Sequence, residues 1–309
     1  MLNKSIDVII PVYKPDEKLD KLIERLQKQT KKPNRIILMS TRDGKEHERE
    51  EKFGNIPNVS IHHIEKADFD HGGTRNLGAS LSLAEFVLFM TQDAVPTDPH
   101  LIEAILKPFE QEEVAAVYGR QLAGKNAGEV EKYTRVFNYP EEDSIKSKKD
   151  LERLGIKTYF CSNVCAAYRK SVYDEMGGFV LKTIFNEDMI MASKMIGAGC
   201  SIGYAANAKV IHSHKYTYWQ QFTRNFDLAV SQVQYKEIFA GVKSESEGIR
   251  LVKNSALHLI RVGKWYMIPD LILQSGFKFL GYKFGKNYEK LPKWLVKKLS
   301  MNPSYWDKV

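Results

Sequence analysis

Short apolar runs alternate with segments of helical spacing along the first 120 residues of the chain. The apolar runs have the length of strands, and the segments between them carry apolar residues three and four positions apart, the spacing of a helix with one buried face. The strand-like runs cover residues 6–13, 35–39, 59–64, 85–90 and 114–118, and the helical segments cover 16–30, 74–83 and 98–109. This alternation predicts an α/β fold with a Rossmann-like, mostly parallel sheet and helices on both faces.

The pattern changes after residue 118. The polar and irregular residues 119–155 predict a long surface excursion. Beyond it we expect a short helix over 168–176, a helix over 186–196, an apolar run over 204–213, a longer helix over 219–239 and helical spacing from about 249 onward. The chain is therefore expected to divide into an α/β domain, residues 1–240, and a helical C-terminal tail, residues 241–309.

Composition favours an ordered globular protein. The 309 residues are 43% hydrophobic and 27% charged, which is enough to bury a large core. No apolar run approaches the roughly 20 residues that span a bilayer, and the residues before the first strand-like run lead us to expect no secretion signal. Three cysteines, Cys161, Cys165 and Cys200, form no Cys-x-x-Cys pair, so we expect free thiols in a reducing cytoplasm.

The excess positive charge is confined to the tail. The formal net charge is +8, and residues 241–309 contain 13 Lys/Arg and 5 Asp/Glu, whereas residues 1–240 contain 33 of each. Trp265, Trp294 and Trp306 also lie in the tail. This composition is typical of peripheral contact with an anionic membrane, but a subdomain packed on the core or on a second subunit fits it too, which leaves a homo-oligomer open. The balanced body, without a recognition motif, weighs against nucleic acid as a partner.

Polar residues follow three of the predicted strands. Tyr13 follows the first strand, Ser40 to Asp43 follow the second, and Asp93 follows the fourth. Parallel sheets bind ligands at the carboxyl ends of their strands, so these residues are expected at one edge. A carboxylate such as Asp93 suits a hard divalent cation that also binds phosphate oxygens, although an isolated Asp after a strand is ordinarily a turn residue.

Two predicted helix starts add candidate groups. The run Asn-Glu-Asp at 186–188 places carboxylates where they could cap a helix or act as a base. In the run His-Gly-Gly-Thr-Arg-Asn at 71–76, the glycines allow close backbone approach and the helix N-terminus offers N–H groups to an anion. Arg75 is expected either to pair with a phosphate or to brace the pocket against Asp43 or Asp70.

Six phrases occur in a fixed order along the chain. They are Pro-Val-Tyr at 11–13, Ser-Thr-Arg-Asp-Gly at 40–44, His-Gly-Gly-Thr-Arg-Asn at 71–76, Thr-Gln-Asp-Ala-Val-Pro at 91–96, Asn-Glu-Asp at 186–188 and His-Ser-His at 212–214. Together they resemble the family 2 glycosyltransferases, which have the GT-A fold, and within that family the bacterial rhamnosyltransferases. The resemblance extends from the first strand-like run to the helix predicted after the two histidines.

The resemblance implies an inverting glycosyltransferase that moves L-rhamnose from dTDP-β-L-rhamnose to a lipid-linked saccharide acceptor. The reaction would serve bacterial cell-surface polysaccharide synthesis at the inner face of the plasma membrane. Residues 1–240 would be the catalytic domain, and Mg²⁺ or Mn²⁺ the cofactor. The implied roles are nucleotide-sugar contacts for Pro11, Tyr13, Ser40, Asp43, Arg75, Gln92 and Asp93, a general base in Asp188, acceptor contacts for Glu187 and Asn163, and metal ligands in Asp93, His212 and His214.

The phrases depart from the usual family pattern at two points. Met39 stands where the loop after the second strand commonly has an acidic residue, and Thr91 stands where many relatives have a second Asp. Taken as alternating positions of a strand, only one of His212 and His214 is expected to face the site. The alternatives that stay open are a UDP-hexose donor, a non-catalytic membrane scaffold and a basic nucleic-acid-binding protein.

Overall fold

The computed structural model describes residues 4–240 and 245–307, so positions 241–244 and 308–309 of the predicted tail lie outside the described residues. The strands are β1 (Ile6–Val12), β2 (Arg35–Thr41), β3 (Val59–Ile64), β4 (Phe86–Met90), β5 (Val95–Pro96), β6 (Val114–Leu122), β7 (Ser144–Lys146), β8 (Cys165–Arg169) and β9 (Ser201–Ile211). The α-helices are α1 (Glu17–Gln27), α2 (Glu46–Phe53), α3 (His71–Ser80), α4 (Leu101–Leu106), α5 (Glu129–Asn138), α6 (Leu151–Leu154), α7 (Lys170–Glu175), α8 (Glu187–Gly197), α9 (Tyr218–Gln234), α10 (Lys236–Phe239), α11 (Glu245–Arg261), α12 (Ile268–Lys286) and α13 (Lys293–Leu299). Short 3₁₀ helices lie at Lys107–Glu110, Lys148–Asp150, Gly155–Tyr159, Trp265–Met267, Tyr288–Lys290 and Pro303–Asp307.

The nine strands form one sheet in the order β3-β2-β1-β4-β8-β6-β9-β5, with β7 also paired to β9. Strand β1 pairs in parallel with β2 and β4, and β2 pairs in parallel with β3. Strand β8 is antiparallel to both of its neighbours, β4 and β6. Strands β6 and β9 are parallel, whereas β5 and β7 are antiparallel to β9. The predicted α/β fold is confirmed, and the sheet is mixed because β8 runs against its neighbours.

Each face of the sheet carries its own apolar core. Within β1, Val8 and Ile10 face one core and Ile9 faces the other, because side chains alternate along a strand. The first core packs under α1 and α4, and the second packs under α3 and α8. Burial on both faces explains the continuous apolar run of β1.

Two of the predicted segments are wrong. Residues 119–155 are not one surface excursion, because β6 continues to Leu122 and α5 and β7 follow. Lys146 of β7 is buried, and its Nζ donates to the carbonyl oxygen of Lys157 at 3.0 Å. Residues 168–176 are not one helix, because β8 continues to Arg169 before α7 begins. In both places the strands pair with distant parts of the chain, and the local spacing of apolar residues does not indicate these partners.

Helix α3 begins earlier than its pattern predicts. Asp70 caps the helix, and its Oδ1 accepts a hydrogen bond from the Gly73 N–H at 2.6 Å. The two glycines therefore lie in the first turn of the helix rather than before it. A Cβ on Gly72 would lie 2.1 Å from the carbonyl oxygen of Val180, so this position requires glycine for close packing.

The C-terminal helices pack against the α/β body through α9. In α12, a Cβ on Gly281 would lie 2.1 Å from the carbonyl oxygen of Phe222, and a Cβ on Gly285 would lie 2.3 Å from that of Phe226. Only glycine allows the two helices to approach this closely. A further apolar cluster joins α9 to α13 and to Tyr305. Within the described ranges, none of the helices has the length and apolar character needed to cross a membrane.

Candidate active site

The residues that follow β1 and β4 meet at the carboxyl edge of the sheet. Gln92 holds the backbone of Tyr13 by two hydrogen bonds: its Oε1 accepts from the Tyr13 N–H at 2.9 Å, and its Nε2 donates to the Tyr13 carbonyl oxygen at 3.0 Å. The two strands are parallel and paired, so their ends lie side by side. Gln92 thus fixes Tyr13 beside Asp93, while Pro11 and Tyr13 stay partly exposed.

The loop after β2 is organised by Arg49, a residue that the sequence analysis missed. Its guanidinium donates to both carboxylate oxygens of Asp43, at 2.8 and 3.0 Å, and to Ser40 Oγ at 2.9 Å. Asp43 also accepts from the backbone N–H groups of Lys14 and Lys45, and its side chain is 1% exposed. The hydrogen bonds from Arg49 lower the pKa of Asp43 to about 2. Ser40 and Asp43 therefore face Arg49 and shape the loop from within.

Asp93 lies beside two histidines. Its carboxylate oxygens are 3.6 Å from His212 Nε2 and 3.3 Å from His214 Nε2, and the two nitrogens are 2.8 Å apart. One atom from each of the three residues lies within 4.8 Å of the others, a spacing at which they could hold a metal ion. The prediction that only one histidine faces the site is wrong, because residues two positions apart share a face of a strand, and β9 in any case ends at Ile211.

A polar network orients His212. Gln121 Oε1 lies 3.1 Å from His212 Nδ1 and accepts from Arg135 at 2.6 Å, and Arg135 also donates to the His212 carbonyl oxygen at 2.8 Å. Since an amide oxygen only accepts, the contact with Gln121 favours the tautomer with the proton on Nδ1 and the lone pair of Nε2 on the side of Asp93, while Arg135 Nη2 lies 3.4 Å from Nδ1. Such contacts orient metal-binding histidines. Gln121 and Arg135 lie in the segment predicted as a surface excursion, so the sequence analysis missed both.

The electrostatics of the histidines suit a cation. Burial, followed by the neighbouring His214, lowers the pKa of His212 to about 2. Burial also lowers the pKa of His214, although Asp93 opposes the shift. The lowered pKa values favour the neutral form of both rings, and a neutral imidazole is the form that binds a metal ion. Asp93, His212 and His214 thus fit the requirements of a divalent cation.

Glu187 lies in the first turn of α8 and faces Arg75 of α3. Arg75 Nη1 lies 3.4 Å from Glu187 Oε1 and donates to the carbonyl oxygen of His71 at 2.8 Å. We expected Arg75 to brace Asp43 or Asp70 if it did not bind phosphate, and its carboxylate partner is Glu187 instead. This contact joins the start of α3 to the start of α8.

Asp188 is held by backbone N–H groups. Its Oδ2 accepts from Asn163 at 3.1 Å and its Oδ1 accepts from Met189 at 2.8 Å. Burial raises the pKa of Asp188 to about 7, and the negative charge of Glu187 adds to this effect. Burial acts on Glu187 in the same sense, but Arg75, His71, a backbone N–H and the Asn163 side chain together outweigh it and lower the pKa of Glu187. A carboxyl group titrating near neutrality beside an ionised partner is typical of a general base.

Residues 162–164, which precede β8, contact both halves of the site. The Ser162 hydroxyl accepts from Gln121 Nε2 at 3.0 Å, next to the histidines. The following N–H, that of Asn163, is the donor to Asp188. Because consecutive residues are only about 3.8 Å apart, this segment connects the surroundings of the candidate metal-binding group to Asp188.

The two predicted acceptor contacts lie mostly beneath the surface. Asn163 Oδ1 accepts from the Tyr168 hydroxyl at 2.9 Å, and its Nδ2 lies 3.4 Å from Glu187 Oε1. Asn163 is 3% exposed and Glu187 is 9% exposed. In this structure the two side chains therefore contact each other and present little surface to a ligand.

A cavity of about 340 Å³ opens beside Tyr13. Its lining residues include Thr41, at the end of β2, Lys66, after β3, and four residues between 301 and 305. The volume falls within the range of small-molecule sites. Tyr13, which lines the cavity, is held by Gln92, the residue that precedes Asp93 in the chain. No motif marks the C-terminal residues, so the sequence analysis did not include them in the site.

The fold and the residues of this site define a class of enzyme. Residues 7–177 match the family described as Glycosyl transferase family 2, a match that covers more than half of the chain and includes Tyr13 and Asp93. The chain belongs to this family and is a glycosyltransferase.

Two relatives are similar to this chain over nearly its full length. The O-antigen chain rhamnosyltransferase RfbN of Salmonella typhimurium is 40% identical over 309 residues, which cover 99% of this chain and 97% of the relative. The O-antigen chain rhamnosyltransferase WbaN of Salmonella anatum is 40% identical over 310 residues, with 99% and 96% covered. The resemblance to bacterial rhamnosyltransferases is confirmed.

Two solved structures share the fold. The mannosyltransferase PcManGT from Pyrobaculum calidifontis, in complex with GDP-Man and Mn²⁺, aligns with a TM-score of 0.58 at 13% identity and covers 98% of this chain and 84% of its own. S. aureus TarS 1–349, in complex with UDP-GlcNAc, aligns with a TM-score of 0.53 at 14% identity, with 93% and 91% covered. At these identities the similarity concerns the fold alone, and it confirms the predicted fold class.

Proposed function

We propose that this chain transfers L-rhamnose from dTDP-β-L-rhamnose to a lipid-linked saccharide during synthesis of a bacterial surface polysaccharide. The observation that carries the proposal is the 40% identity, over 99% of the chain, to two O-antigen chain rhamnosyltransferases. The site supports it, because a candidate cation-binding group and a carboxyl group that titrates near neutrality are connected through residues 162–163.

In this proposal the nucleotide sugar lies along the carboxyl edge of the sheet. The nucleoside occupies the cavity beside Tyr13, and the diphosphate extends towards Asp93, His212 and His214. A divalent cation held by these three residues would neutralise negative charge on the departing diphosphate. Two imidazole ligands favour a transition-metal ion such as Mn²⁺ over Mg²⁺, which takes oxygen ligands.

Asp188 is the general base of the proposed reaction. The acceptor hydroxyl attacks the anomeric carbon of rhamnose while its proton moves to the Asp188 carboxylate. The bond between the anomeric carbon and the diphosphate oxygen breaks as the new glycosidic bond forms, and the diphosphate leaves with that electron pair. Attack from the opposite face converts the β-linked donor into an α-linked product. Glu187, kept ionised by Arg75, makes the Asp188 carboxylate more basic.

A donor screen with purified protein tests the donor and the base. Nucleotide release from dTDP-β-L-rhamnose and from UDP-hexoses is measured with Mn²⁺ or with EDTA, using extracted lipid-linked saccharide as acceptor. Asp188→Asn is expected to lower transfer by roughly 10²- to 10⁴-fold without loss of dTDP affinity, whereas the exposed Asp174→Asn retains the wild-type rate. Transfer from UDP-hexoses alone would overturn the donor assignment, and wild-type transfer by Asp188→Asn would overturn the base.

The proposed location is the anionic inner surface of the plasma membrane, with the C-terminal tail as the contact. Large apolar side chains of this region are exposed, among them Trp265 at 67%, Tyr266 at 65% and Phe279 at 58%. The tail also carries the excess of lysine and arginine. Aromatic rings that enter the interface and cations that meet anionic headgroups together favour peripheral binding.

Flotation with phosphatidylglycerol vesicles tests this contact. The double variant Trp265→Ser, Tyr266→Ser is expected to lose vesicle binding while remaining folded, because both side chains project into solvent. Leu83→Ser is the matched control, since Leu83 is 98% exposed on the α/β body. If the double variant floats with vesicles as the wild type does, the tail is not the contact.

A further inference from the structure

One wall of the cavity beside Tyr13 comes from the C-terminal tail. Met301, Asn302, Ser304 and Tyr305 line it, and Tyr13 lies among the lining residues of the α/β body. The tail therefore contributes to a cavity whose other walls come from the ends of β1 and β2, the residues between β3 and the start of α3, and the residues before α8. Neither the family match, which ends at residue 177, nor the six sequence phrases include this wall.

Tyr305 fastens the wall to the body. Its side chain belongs to the apolar cluster between α9 and α13, and the residue is 7% exposed. Its hydroxyl donates to the carbonyl oxygen of Lys182 and accepts from Gln234 Nε2, each at 3.0 Å. Lys182 precedes α8 and Gln234 ends α9, so one side chain ties the wall to two parts of the body.

Asp227 of α9 supplies a second attachment. Its Oδ2 accepts from the backbone N–H of Met301 at 2.9 Å, and the residue is 3% exposed. Within the wall, the Ser304 hydroxyl donates to Asn302 Oδ1 at 2.8 Å. The wall is thus preorganised, and a preorganised surface loses little conformational entropy when a ligand binds.

We propose that residues 301–305 form part of the donor site and contact the nucleoside half of the nucleotide sugar. This inference rests on the proposed placement of the donor. The cavity offers an aromatic ring at Tyr13, a hydroxyl at Ser304 and an amide at Asn302, which match a nucleobase and a hydroxylated ribose. The same segment of the tail thereby makes donor affinity depend on how the tail packs.

Titration of dTDP into the protein with Mn²⁺, in the absence of lipid, tests the proposal. Ser304→Trp places an indole at the rim of the cavity, and Asn302→Ala removes the amide. We expect dTDP affinity to fall at least tenfold in the first variant and measurably in the second. Ser304 is exposed, so the larger side chain leaves the core intact. Ser80→Trp, at the exposed end of α3, is the matched control and keeps wild-type affinity.

The outcomes separate this inference from the proposed function. Wild-type dTDP affinity in both Ser304→Trp and Asn302→Ala would overturn the donor-site role of the wall, even if Asp188→Asn abolishes transfer. A wild-type protein that binds no dTDP and transfers no rhamnose would instead overturn the proposed function. Thermal unfolding of each variant identifies any loss of fold before affinities are compared.

Discussion

Replacing Glu187 by glutamine removes the negative charge that lies beside Asp188. In the wild type, burial and this charge raise the pKa of Asp188 to about 7. A base with that pKa is about one-eleventh ionised at pH 6 and about ten-elevenths ionised at pH 8, so kcat/KM should rise roughly tenfold between these values. Without the neighbouring charge, the pKa of Asp188 falls. The rise of kcat/KM with pH, which is the acid limb of the pH–activity profile, therefore moves to lower pH.

The glutamine keeps the shape of Glu187, and its amide can still meet Asn163, which lies 3.4 Å from Glu187 Oε1. Arg75 loses its partner and can then favour the ionised form of Asp188, which lowers its pKa further. Glu187→Gln should therefore retain a larger fraction of its plateau activity at pH 6 than the wild type does, even if the plateau itself is lower.

The assay is nucleotide release from dTDP-β-L-rhamnose between pH 5.5 and 9, with Mn²⁺ and acceptor held constant. Glu175→Gln is the matched control, because Glu175 is exposed at the end of α7, and its acid limb should coincide with that of the wild type. An acid limb in Glu187→Gln that is unmoved, or that moves to higher pH, would refute the assignment of this limb to Asp188.

Three further predictions concern packing, stability and the metal. Gly281→Ala should lower the melting temperature, since overpacking costs about 1–3 kcal/mol and each kcal/mol shifts Tm by roughly 2 °C in a chain of this size. Gly276→Ala in the same helix is the control and should raise Tm, because no atom lies within 4 Å of the new Cβ. Equal Tm shifts in the two variants would contradict the close contact between α9 and α12. Asp227→Asn should raise Tm at pH 8 and lose this advantage towards pH 4. Burial raises the pKa of Asp227 to about 7, so the native state binds the proton more tightly than the unfolded state. The stability of the wild type therefore falls as pH rises, whereas that of the variant does not. A pH-independent difference would argue against this account. Gln121→Leu should weaken Mn²⁺ binding by about 10- to 100-fold, measured by calorimetry, and unchanged affinity would mean that Gln121 does not orient the ligand His212.

The strand ends of the parallel half of the sheet were predictable, because apolar runs define strands and ligands bind where parallel strands end. This reasoning placed Tyr13 and Asp93 at one edge of the sheet, as the structure does. The helix start at Asp188 was predictable for a similar reason, since carboxylates favour that position. The apolar and polar residues next to each of these positions in the sequence indicate the strand end or helix start on which it lies.

The supporting residues could not be predicted in this way. Arg135 donates to the carbonyl oxygen of His212, 77 positions away, and the contact depends on how β6 and β9 pair. Arg49 lies in a helix whose sequence is almost wholly charged, where a buried arginine has no distinguishing pattern. Strand β8 has an ordinary local sequence, and its antiparallel insertion is decided by its two partners in the sheet.

The cavity beside Tyr13 joins residues that lie 292 positions apart, Tyr13 and Tyr305. Chains are synthesised from the N-terminus, and the earlier parts fold first. The α/β body can therefore form while this cavity still lacks one side, and the last wall is added only when residue 305 has left the ribosome. A ligand that needs every wall would bind the newly made protein only after that moment, so the α/β body alone would not yet be active.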